Sequence, residues 1–348
     1  MKRKKQVRQS VAVSAMLMAL LFLLPLAVIV PFRTELFGRE QTVDETEGEP
    51  FAAGVADGAV TLRVLSGESV LEMDLGEYLV GVLRAEMPAS FEPDALRAQA
   101  AAARTYTFYK LQSGGNHGET ADICTNPNCC QAYMAEATAR SGWGKHAEEY
   151  EQKVRAAVLD TDGLAVLYGG EPIQAVFHAA SAGQTRAAGE VWLHDVPYLQ
   201  PVASPEDGDS IPDYYSREEF DAETFQNKVH TVAPEANLTG DVENWLQEET
   251  RDAAGSVVTL TVGGVELKGS TLRSALGLRS ACFEWEAQGQ KLTFYVTGYG
   301  HGVGLSQWGA NRMAKDGATW QEILTHYYTG VSIGAWRGAD RFTNRWSA

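Results

Sequence analysis

The sequence predicts an α+β protein in which an N-terminal transmembrane helix precedes an extracytoplasmic domain of helices and antiparallel sheet with a groove. Three observations support this prediction: a charge-free apolar run near the N-terminus, short alternating segments separated by glycine pairs, and alanine-rich or amphipathic helical segments. With 348 residues, 45% of them hydrophobic, the chain is long enough for one large domain or two smaller ones.

The N-terminus is predicted to be an uncleaved membrane anchor at residues 1–33. Five Lys or Arg residues precede a charge-free run from Val11 to Pro31, which is long enough to cross a bilayer as a helix. The run ends in PLAVIVPFRTEL without a small-residue cleavage site, which favours an anchor over a signal peptide. Since the basic residues precede the span, we expect the N-terminus in the cytoplasm and the remainder outside.

The remainder of the chain is strongly acidic. The formal net charge is −16, and without residues 1–33, which carry six Lys or Arg and no acids, it becomes −22. Such a surface argues against binding to nucleic acid or to anionic lipid. It is compatible with a largely uncharged glycan held in a local groove, and most of the acidic residues are expected only to keep a secreted domain soluble.

The first predicted elements follow an acidic, glycine-containing linker at 34–58. VTLRVL and SVLEMDL predict a hairpin, and a helix begins at Asp74 and is stopped by Pro88. Glu92-Pro93 opens an alanine-rich helix, and a loop rich in Gly and Cys covers 113–133. The next helix is predicted near Glu148–Leu159.

The second half of the predicted catalytic domain, which covers 59–335, contains more strands. AVLYGG and EPIQAVFHAA predict a hairpin that turns at Gly169-Gly170. A helical and strand-rich subdomain is expected at about 215–290, mainly helical and polar up to residue 250 and then built of strands with turns at Gly263-Gly264 and Gly289. Helices at about Ser306–Gly317 and Thr319–Tyr328 precede a C-terminal tail at 336–348.

Glu86 is the first candidate functional residue, because it continues an apolar stripe at the end of a helix, where a carboxylate is unexpected. The negative end of the helix dipole and an apolar wall would both raise its pKa. A raised pKa suits a group that acts first as a general acid and then as a base. The alternative is that Glu86 forms an ion pair with Arg84 or Arg104 and only ties two helices together.

The loop HGETADICTNPNCCQAY contains a candidate metal site. His117, Cys124 and Cys130 form a three-ligand zinc set that leaves a fourth position open for water or substrate. A disulfide is the alternative, since an extracytoplasmic location permits one. Cys129 adjoins Cys130 and could replace it, while Cys282 is expected to be buried in a strand.

Two further loops carry candidate binding residues. In FHAASAGQ, His178 and Ser181 follow a strand and could line a cleft; a Ser-His nucleophile pair is conceivable, although the G-x-S-x-G elbow is missing. In GYGHGVGLSQWG, four glycines surround His301 and lead into a helix at Gln307, where backbone could approach a ligand. The alternative for this second segment is a tight structural turn, and His194 is interpreted as an ordinary surface residue.

With these segments in place, the chain resembles the stage II sporulation protein D family from Val60 to Val331. The resemblance rests on EYLVGVLRAEMPASFEPDALRAQAAAARTY, ADICTNPNCCQAY, FHAASAGQTRAAGEVW and GYGHGVGLSQWGANRMAKDGATWQEILTHYYTGV. It implies a lytic transglycosylase that cuts peptidoglycan glycan strands already stripped of stem peptides, during engulfment of the forespore. It also implies a location in the mother-cell membrane facing the intermembrane space, and a complex with stage II sporulation proteins P and M.

The resemblance assigns roles to residues of this chain. Glu86 aligns with the catalytic glutamate of the family, and His117, Cys124 and Cys130 align with a zinc site that clostridial members carry. On the adjoining helix, Arg97 and Arg104 are expected to orient the carboxyl or the muramyl lactate. The groove walls are expected to include Gln99, His178, Ser181, His301 and Gln307.

Two other functions remain open from the sequence. The first is a membrane-tethered regulator that binds glycan and stimulates a separate amidase without cleaving anything itself. The second is a zinc hydrolase in which metal-bound water is the nucleophile. The absence of an H-E-x-x-H segment and the poor match of two thiolates and one histidine to peptidase ligand sets argue against this second function.

Overall fold

A computed structural model describes residues 54–114, 117–192 and 194–343, in which helices and small, mostly antiparallel sheets alternate along the chain. The helices are α1 (Leu75–Glu86), α2 (Pro93–Gln112), α3 (Glu136–Trp143), α4 (Ala147–Leu159), α5 (Ala188–Val191), α6 (Ala222–His230), α7 (Gly269–Leu276), α8 (Gln307–Lys315) and α9 (Trp320–Tyr327). Short 3-10 turns lie at 57–59, 144–146, 208–210, 242–244 and 337–342.

The strands are short and form several separate sheets. They are β1 (Thr61–Ser66), β2 (Ser69–Asp74), β3 (Ile123–Cys124), β4 (Leu164–Tyr168), β5 (Glu171–Pro172), β6 (Phe177–His178), β7 (Tyr215–Asp221), β8 (Leu246–Arg251), β9 (Val257–Val262), β10 (Val265–Lys268), β11 (Phe283–Gln288), β12 (Lys291–Thr297), β13 (Leu305–Ser306) and β14 (Ser332–Ala335). The sheet orders are β2-β1-β3, β14-β4-β5, β13-β6, β10-β9-β8 and β11-β12-β7. The pairs β1–β3 and β6–β13 are parallel, and the remaining pairs are antiparallel.

Helix α2 is the centre of the main hydrophobic core. Pro93 occupies its first turn, where a missing N–H costs nothing. Its buried face is built mainly of alanine, at positions 95, 98 and 100–103. Because these side chains are small, helices α1, α4, α8 and α9 and strand β4 all pack directly against it. Helix α2 therefore brings elements from the N-terminal and C-terminal parts of the described chain together around its own axis.

Two buried arginines tie this core together. The Arg104 guanidinium is fully buried and binds the Asp57 carboxylate through Nε and Nη2 at 2.7 Å each. Its other donors reach the Val158 and Leu164 carbonyls and the Thr161 hydroxyl. Arg84, in turn, forms a buried two-point ion pair with Glu151 of α4. Buried charges are tolerated when they are paired and hydrogen-bonded, as both arginines are here.

A second hydrophobic cluster lies between Phe220 and Val296. It is formed by α6, α7 and the sheets β10-β9-β8 and β11-β12-β7, whose inward residues include Phe225, Leu260 and Phe294. The turns at Gly263-Gly264 and Gly289 join its antiparallel pairs, as the sequence predicts.

Most of the predicted elements are confirmed, and six are corrected. Strand β8 begins inside the stretch predicted as mainly helical, and helix α7 lies where only strands were predicted. The stretch 215–221 is the charged edge strand β7 rather than helix, because its pairing with β12 buries only Phe220. Helix α3 was not predicted, since Ala139 is its only buried residue. The expected second strand of the β4 hairpin is broken into β5 and β6. Residues 336–343 join the core through Trp336 rather than forming a tail.

The predicted anchor at Val11–Pro31 and most of the linker at 34–58 lie outside the described residues. Within 54–114, 117–192 and 194–343, none of the helices has both the length and the apolar character needed to cross a bilayer.

Gly81 of α1 provides a stability test of the main core. A Cβ at this position would lie 2.0 Å from Cε2 of Tyr133, so Gly81→Ala should lower the free energy of unfolding by about 1–3 kcal/mol. The matched control is Gly142→Ala in α3, where a Cβ meets nothing within 4 Å and should stabilise the helix by about 0.5–1 kcal/mol. Chemical denaturation of both variants checks this; equal effects would contradict the packing of Tyr133 against α1.

Candidate functional site

Glu86 is the last residue of α1 and lies half-buried at a cavity of about 230 Å³. The helix ends there because Met87 adopts an extended backbone conformation ahead of Pro88. The other lining residues come from α2, the cysteine loop, the segment before and within β6, and the glycine-rich turn: Tyr106, Pro127, Cys130, Gln131, Val176, Phe177 and His301. Glu86 is the only carboxylic acid among these described lining residues.

Burial raises the pKa of the Glu86 carboxyl above its ordinary value. Two hydrogen bonds act in the opposite direction: the backbone N–H of Ala132 donates to Oε1 at 2.9 Å, and the Gln307 side chain also donates to the carboxyl. Burial outweighs both. The predicted alternative, an ion pair with Arg84 or Arg104, is not formed, because these arginines bind Glu151 and Asp57. The carboxyl is thus set up to hold a proton at higher pH than a surface glutamate.

The two histidines of the site are neutral near pH 7. Burial, together with the charges of Arg273 and Arg186, lowers the pKa of His301 to about 4. Burial also lowers the pKa of His178, with a smaller contribution from His301. Neither imidazole can therefore serve as the proton donor at neutral pH, which leaves Glu86 as the acid of this cavity.

His178 and Ser181 form a buried pair. The Ser181 hydroxyl lies 2.7 Å from His178 Nε2, and His178 Nδ1 lies 3.2 Å from the Val303 carbonyl, which requires the proton on Nδ1. The two residues are 4% and 2% exposed. Ser181 also donates its N–H to Glu206 Oε1, which accepts a bond from Ser306 at the start of α8. Neither residue lines the Glu86 cavity, and that the pair lines a glycan groove stays a prediction.

The glycine-rich turn brings His301 close to strand β6. Gly300 has φ 115°, and a Cβ there would lie 2.6 Å from Cβ of His178. Gly304 has φ 72°, and a Cβ there would lie 2.2 Å from the Val176 carbonyl oxygen. The close approach that these glycines permit is therefore to the protein's own backbone. The segment is therefore the tight structural turn of the alternative interpretation, and this turn carries His301.

A cluster of side chains that could hold a metal ion adjoins the Glu86 cavity. The donor atoms of His117, Cys124, Cys129 and Cys130 all lie within 4.8 Å of one another. Nε2 of His117 is 3.7 Å from the Cys129 sulfur and 3.9 Å from the Cys130 sulfur, and these two sulfurs are 3.8 Å apart. A tetrahedron with Zn–S bonds of about 2.3 Å has S···S edges of about 3.8 Å, so the four donors could bind a metal in this geometry.

This cluster corrects two features of the predicted site. Cys129 joins the other three residues instead of substituting for Cys130, so the set offers four donors rather than three. Cys124, Cys130 and Cys282 form no disulfide within the described residues, which disagrees with the disulfide alternative, and Cys282 is half-buried just before β11. Burial raises the pKa of the Cys130 thiol to about 12, whereas a bound cation would favour the thiolate.

The cysteine loop is connected directly to the acid. Cys130 lines the Glu86 cavity, and Ala132, two residues later, donates its N–H to the carboxyl. Gln131 between them is buried and donates to the Thr107 hydroxyl of α2 at 3.1 Å. The loop then binds α1, where the Met134 N–H donates to the Gly81 carbonyl. A metal in the cluster would therefore stabilise the segment that positions Glu86.

Three other predicted binding residues also lie away from the cavity surface. Arg97 binds Asp160 and Asp94, and neither carboxylate lines the Glu86 cavity. Arg104 is fully buried in its pair with Asp57, so it cannot orient the carboxyl or a lactate. Gln99 is 0% exposed and accepts a bond from Gln307 at 3.4 Å, so it positions the side chain that faces Glu86.

Sequence reasoning missed part of the site. Tyr106, Gln131 and Phe177 line the cavity beside Glu86, and the Ala132 N–H is its closest hydrogen-bond donor. Tyr106 lies within AAARTY, and Gln131-Ala132 lies within CCQAY. Both segments contain other residues that the sequence analysis selected as candidates. A backbone donor leaves no pattern in side chains, so no sequence signal pointed to Ala132.

Comparisons with known proteins identify similar sequences. The model of the stage II sporulation protein family (SpoIID) matches residues 66–168. Stage II sporulation protein D of Bacillus subtilis (strain 168) is 34% identical, over 96% of this chain and 97% of that protein. The protein of the same name from Bacillus amyloliquefaciens is 33% identical, over 95% and 96%. The amidase enhancer of Bacillus subtilis is 26% identical, over 73% of this chain and 40% of that protein.

His301 should make folding stability depend on pH. Its pKa is about 4 in the folded chain and about 6.5 when unfolded, so the unfolded state takes up a proton first as pH falls. Stability is complete above about pH 6.5 and is lost below it. Between about pH 7.5 and about pH 5 this histidine should cost about 2 kcal/mol.

Denaturation curves of the parent protein, His301→Asn and His146→Asn across this pH range measure the effect. His301→Asn should reduce the pH slope more than His146→Asn, which changes an exposed histidine beside Glu149. An unchanged slope in His301→Asn would show that His301 is not held neutral by burial.

Proposed function

We propose, on the premise that this chain belongs to the stage II sporulation protein D family, that it is a lytic transglycosylase of peptidoglycan. The substrate would be the bond between N-acetylmuramic acid and N-acetylglucosamine in strands without stem peptides. The observation that carries the proposal is the Glu86 carboxyl: its pKa is raised by burial, and no other carboxylic acid lines the same cavity among the described residues. An ordinary glycosidase needs a pair of flanking carboxyl groups, whereas this reaction needs one.

The reaction would proceed in two proton transfers through Glu86. The protonated carboxyl donates to the glycosidic oxygen as the bond to the muramyl C1 breaks, and N-acetylglucosamine leaves as an alcohol. The carboxylate then takes the proton from the muramyl C6 hydroxyl, whose oxygen bonds to C1 and closes a 1,6-anhydro ring. Glu86 ends protonated, as it began, and no water is consumed. The Ala132 N–H and Gln307 would stabilise the carboxylate between the two transfers.

The cellular setting follows from the family and from the N-terminal sequence. The chain would be held by its N-terminal helix, with the N-terminus cytoplasmic and the domain in the space between mother cell and forespore during engulfment. Stage II sporulation proteins P and M would be its partners. An enzyme that releases stem peptides must act before it, because the proposed substrate is the peptide-free strand.

A non-catalytic role is the second candidate, and it is favoured by one observation. A relative with 26% identity over 73% of this chain is named amidase enhancer. In that case the cavity would bind glycan without cutting it, and Glu86 would not be needed as an acid. Mass spectrometry of peptide-free glycan strands after digestion separates the two roles: 1,6-anhydro ends support the transglycosylase, and intact strands support the enhancer.

The four-residue cluster is proposed to bind zinc. Three sulfurs and one imidazole nitrogen that lie within 4.8 Å of one another would fill the coordination shell of zinc, as in structural zinc sites. The ion would supply folding energy to the loop that carries Ala132. A hydrolase with zinc-bound water as nucleophile loses support, because that chemistry requires an open coordination position.

Glu86→Gln should abolish cleavage of peptide-free strands, with the rate reduced by about 10²-fold or more, because it removes the proton donor. In the parent protein the rate should fall as pH rises through the raised pKa of Glu86, since the substrate must meet the protonated acid. Glu77→Gln, an exposed glutamate of the same helix, is the matched control and should cleave normally.

Digestion in ¹⁸O-water tests the reaction type in the same experiment. The new muramyl ends should be anhydro and unlabelled, and they should disappear in Glu86→Gln. Label at these ends would mean that water attacks the sugar, and normal cleavage by folded Glu86→Gln would remove Glu86 from the reaction.

The purified protein should contain about one zinc per chain, released by chelators. Cys129→Ser is the deciding variant, because a four-donor site predicts that it weakens zinc binding by at least about tenfold. Cys282→Ser, far from the cluster in sequence, should bind zinc like the parent protein. Full affinity in Cys129→Ser with loss in Cys130→Ser would restore the three-ligand site.

A further inference from the structure

A second cavity, of about 410 Å³, lies between the two hydrophobic clusters. One wall comes from the main core and includes Arg186, Trp192 and His301. The other wall comes from helix α7 and the residues beside it: Val232, Ser270, Thr271, Arg273 and Ser274. No acidic residue lines it within the part of the chain that the structure describes.

Arg273 in this cavity has no counter-ion among the residues that the structure describes. Its Nε donates to the Leu278 and Arg279 carbonyls, both at 3.2 Å, which fixes the side chain. Its two Nη atoms have neither a hydrogen bond nor an ion pair with any described residue, and they are not sealed from the cavity. Burial lowers its pKa; Tyr299 acts in the opposite direction and Arg186 in the same direction as burial, and burial is the largest contribution. Arg273 is therefore a partly dehydrated cation whose Nη atoms have no acidic partner among the described residues.

Three other buried arginines have carboxylate partners, unlike Arg273. Arg186, on the same cavity, is neutralised by a buried ion pair with Asp252. Arg104 and Arg84 are paired in the same way with Asp57 and Glu151. A partly buried cation that the chain does not pair is unfavourable on its own. In a protein with a net charge of −16, the most direct explanation is an anionic ligand.

The cavity shares one lining residue with the candidate active site. His301 lines both this cavity and the cavity of Glu86, and its pKa is lowered by burial and, to a smaller extent, by the charges of Arg273 and Arg186. The Trp192 ring lies 5.3 Å from the His301 ring, so an aromatic face is present along the wall. Hydroxyl groups of Ser270, Thr271 and Ser274 lie on the opposite wall. Aromatic faces and hydroxyls are suited to a sugar ring.

We propose that this cavity is a subsite for an acidic sugar of the bound strand, and that Arg273 binds the free carboxylate of that sugar. In a peptidoglycan strand the carboxylate is the lactyl group of a muramyl residue other than the one being cleaved. The inference rests on the proposed function for the identity of the strand. The two Nη atoms present the end of the guanidinium, which pairs with both oxygens of a carboxylate.

This subsite gives a physical basis for a preference for peptide-free strands. When a stem peptide is attached, the lactyl carboxylate becomes an amide, which has no charge and accepts weaker hydrogen bonds. A charge-assisted bond is worth about 1.5–3 kcal/mol, so its loss corresponds to about 10-fold to 150-fold in affinity. The amide would also bring the first residue of the peptide against Ser274 and Val232, which line the same cavity.

The test measures oligosaccharide binding by calorimetry to the full chain in detergent, with Glu86→Gln present throughout to prevent turnover. The probes are a peptide-free muramyl tetrasaccharide, the same compound with its carboxylates converted to amides, and chitotetraose, which lacks the lactyl group. Arg273→Gln should weaken binding of the first probe by at least about tenfold and leave the other two unchanged. Arg273→Lys should retain part of the preference, and Arg217→Gln, an exposed arginine of β7, is the matched control.

A second variant keeps the test independent of folding. Ser274 is exposed at the cavity, so Ser274→Glu introduces a repelling charge without disturbing the core, and it should weaken only the carboxylate probe. Equal weakening of all three probes by both variants, or no weakening, would overturn the subsite. Inorganic phosphate that displaces the tetrasaccharide at equal affinity would show that Arg273 takes a phosphate group, which also overturns it.

Failure of the subsite and failure of the proposed function have different signatures. If strands stay uncut by the protein with Glu86 intact, but carboxylate-dependent binding needs Arg273, the subsite stands and the transglycosylase does not. If anhydro ends form and Arg273→Gln changes neither KM nor binding, the transglycosylase stands and the subsite is wrong.

Discussion

The interaction on which the domain depends is the buried contact between Arg104 and Asp57. A guanidinium without water must satisfy its donors from the protein, and here it does so on the 3-10 turn 57–59, the end of α4 and the start of β4. These segments have to meet at one place on α2, which sets where α4 and β4 lie. The alanine face of α2 allows that approach. The positions of α1 and of Glu86 follow from the same packing, because α1 fits between α2 and α4.

The packing of these helices leaves a cleft beside Glu86. The buried arginines of the main core are paired with carboxylates. The pKa of Glu86 is therefore set mainly by burial and by two hydrogen-bond donors. Farther along, His301 is kept neutral by burial, with smaller contributions from Arg273 and Arg186, and Arg273 has no acidic partner among the described residues. An acid that holds a proton thus lines one cavity and a cation without an acidic partner lines another, and one neutral histidine lines both.

Local features of the fold were predictable, and long-range contacts were not. The β1–β2 hairpin, the start of α2 at Pro93 and the turns at Gly263-Gly264 depend on residues close together in sequence, and they are as predicted. Glu86 stood out because it breaks a local apolar pattern. Arg104 was misread because its partner, Asp57, is 47 residues away in a stretch that has the composition of a linker. The fourth donor, Cys129, depends on how the loop folds, which spacing alone does not determine.

The bond from Ala132 to Glu86 has a consequence for how this protein can vary. The donor is a backbone N–H, so every residue type except proline supplies it at position 132. Most substitutions at position 132 therefore preserve this hydrogen bond and its effect on the pKa of Glu86. The path of the loop matters more, because an insertion between Cys130 and Ala132 would move the donor away from the carboxyl while keeping every residue that lines the cavity. Along this loop, length is under tighter physical constraint than composition.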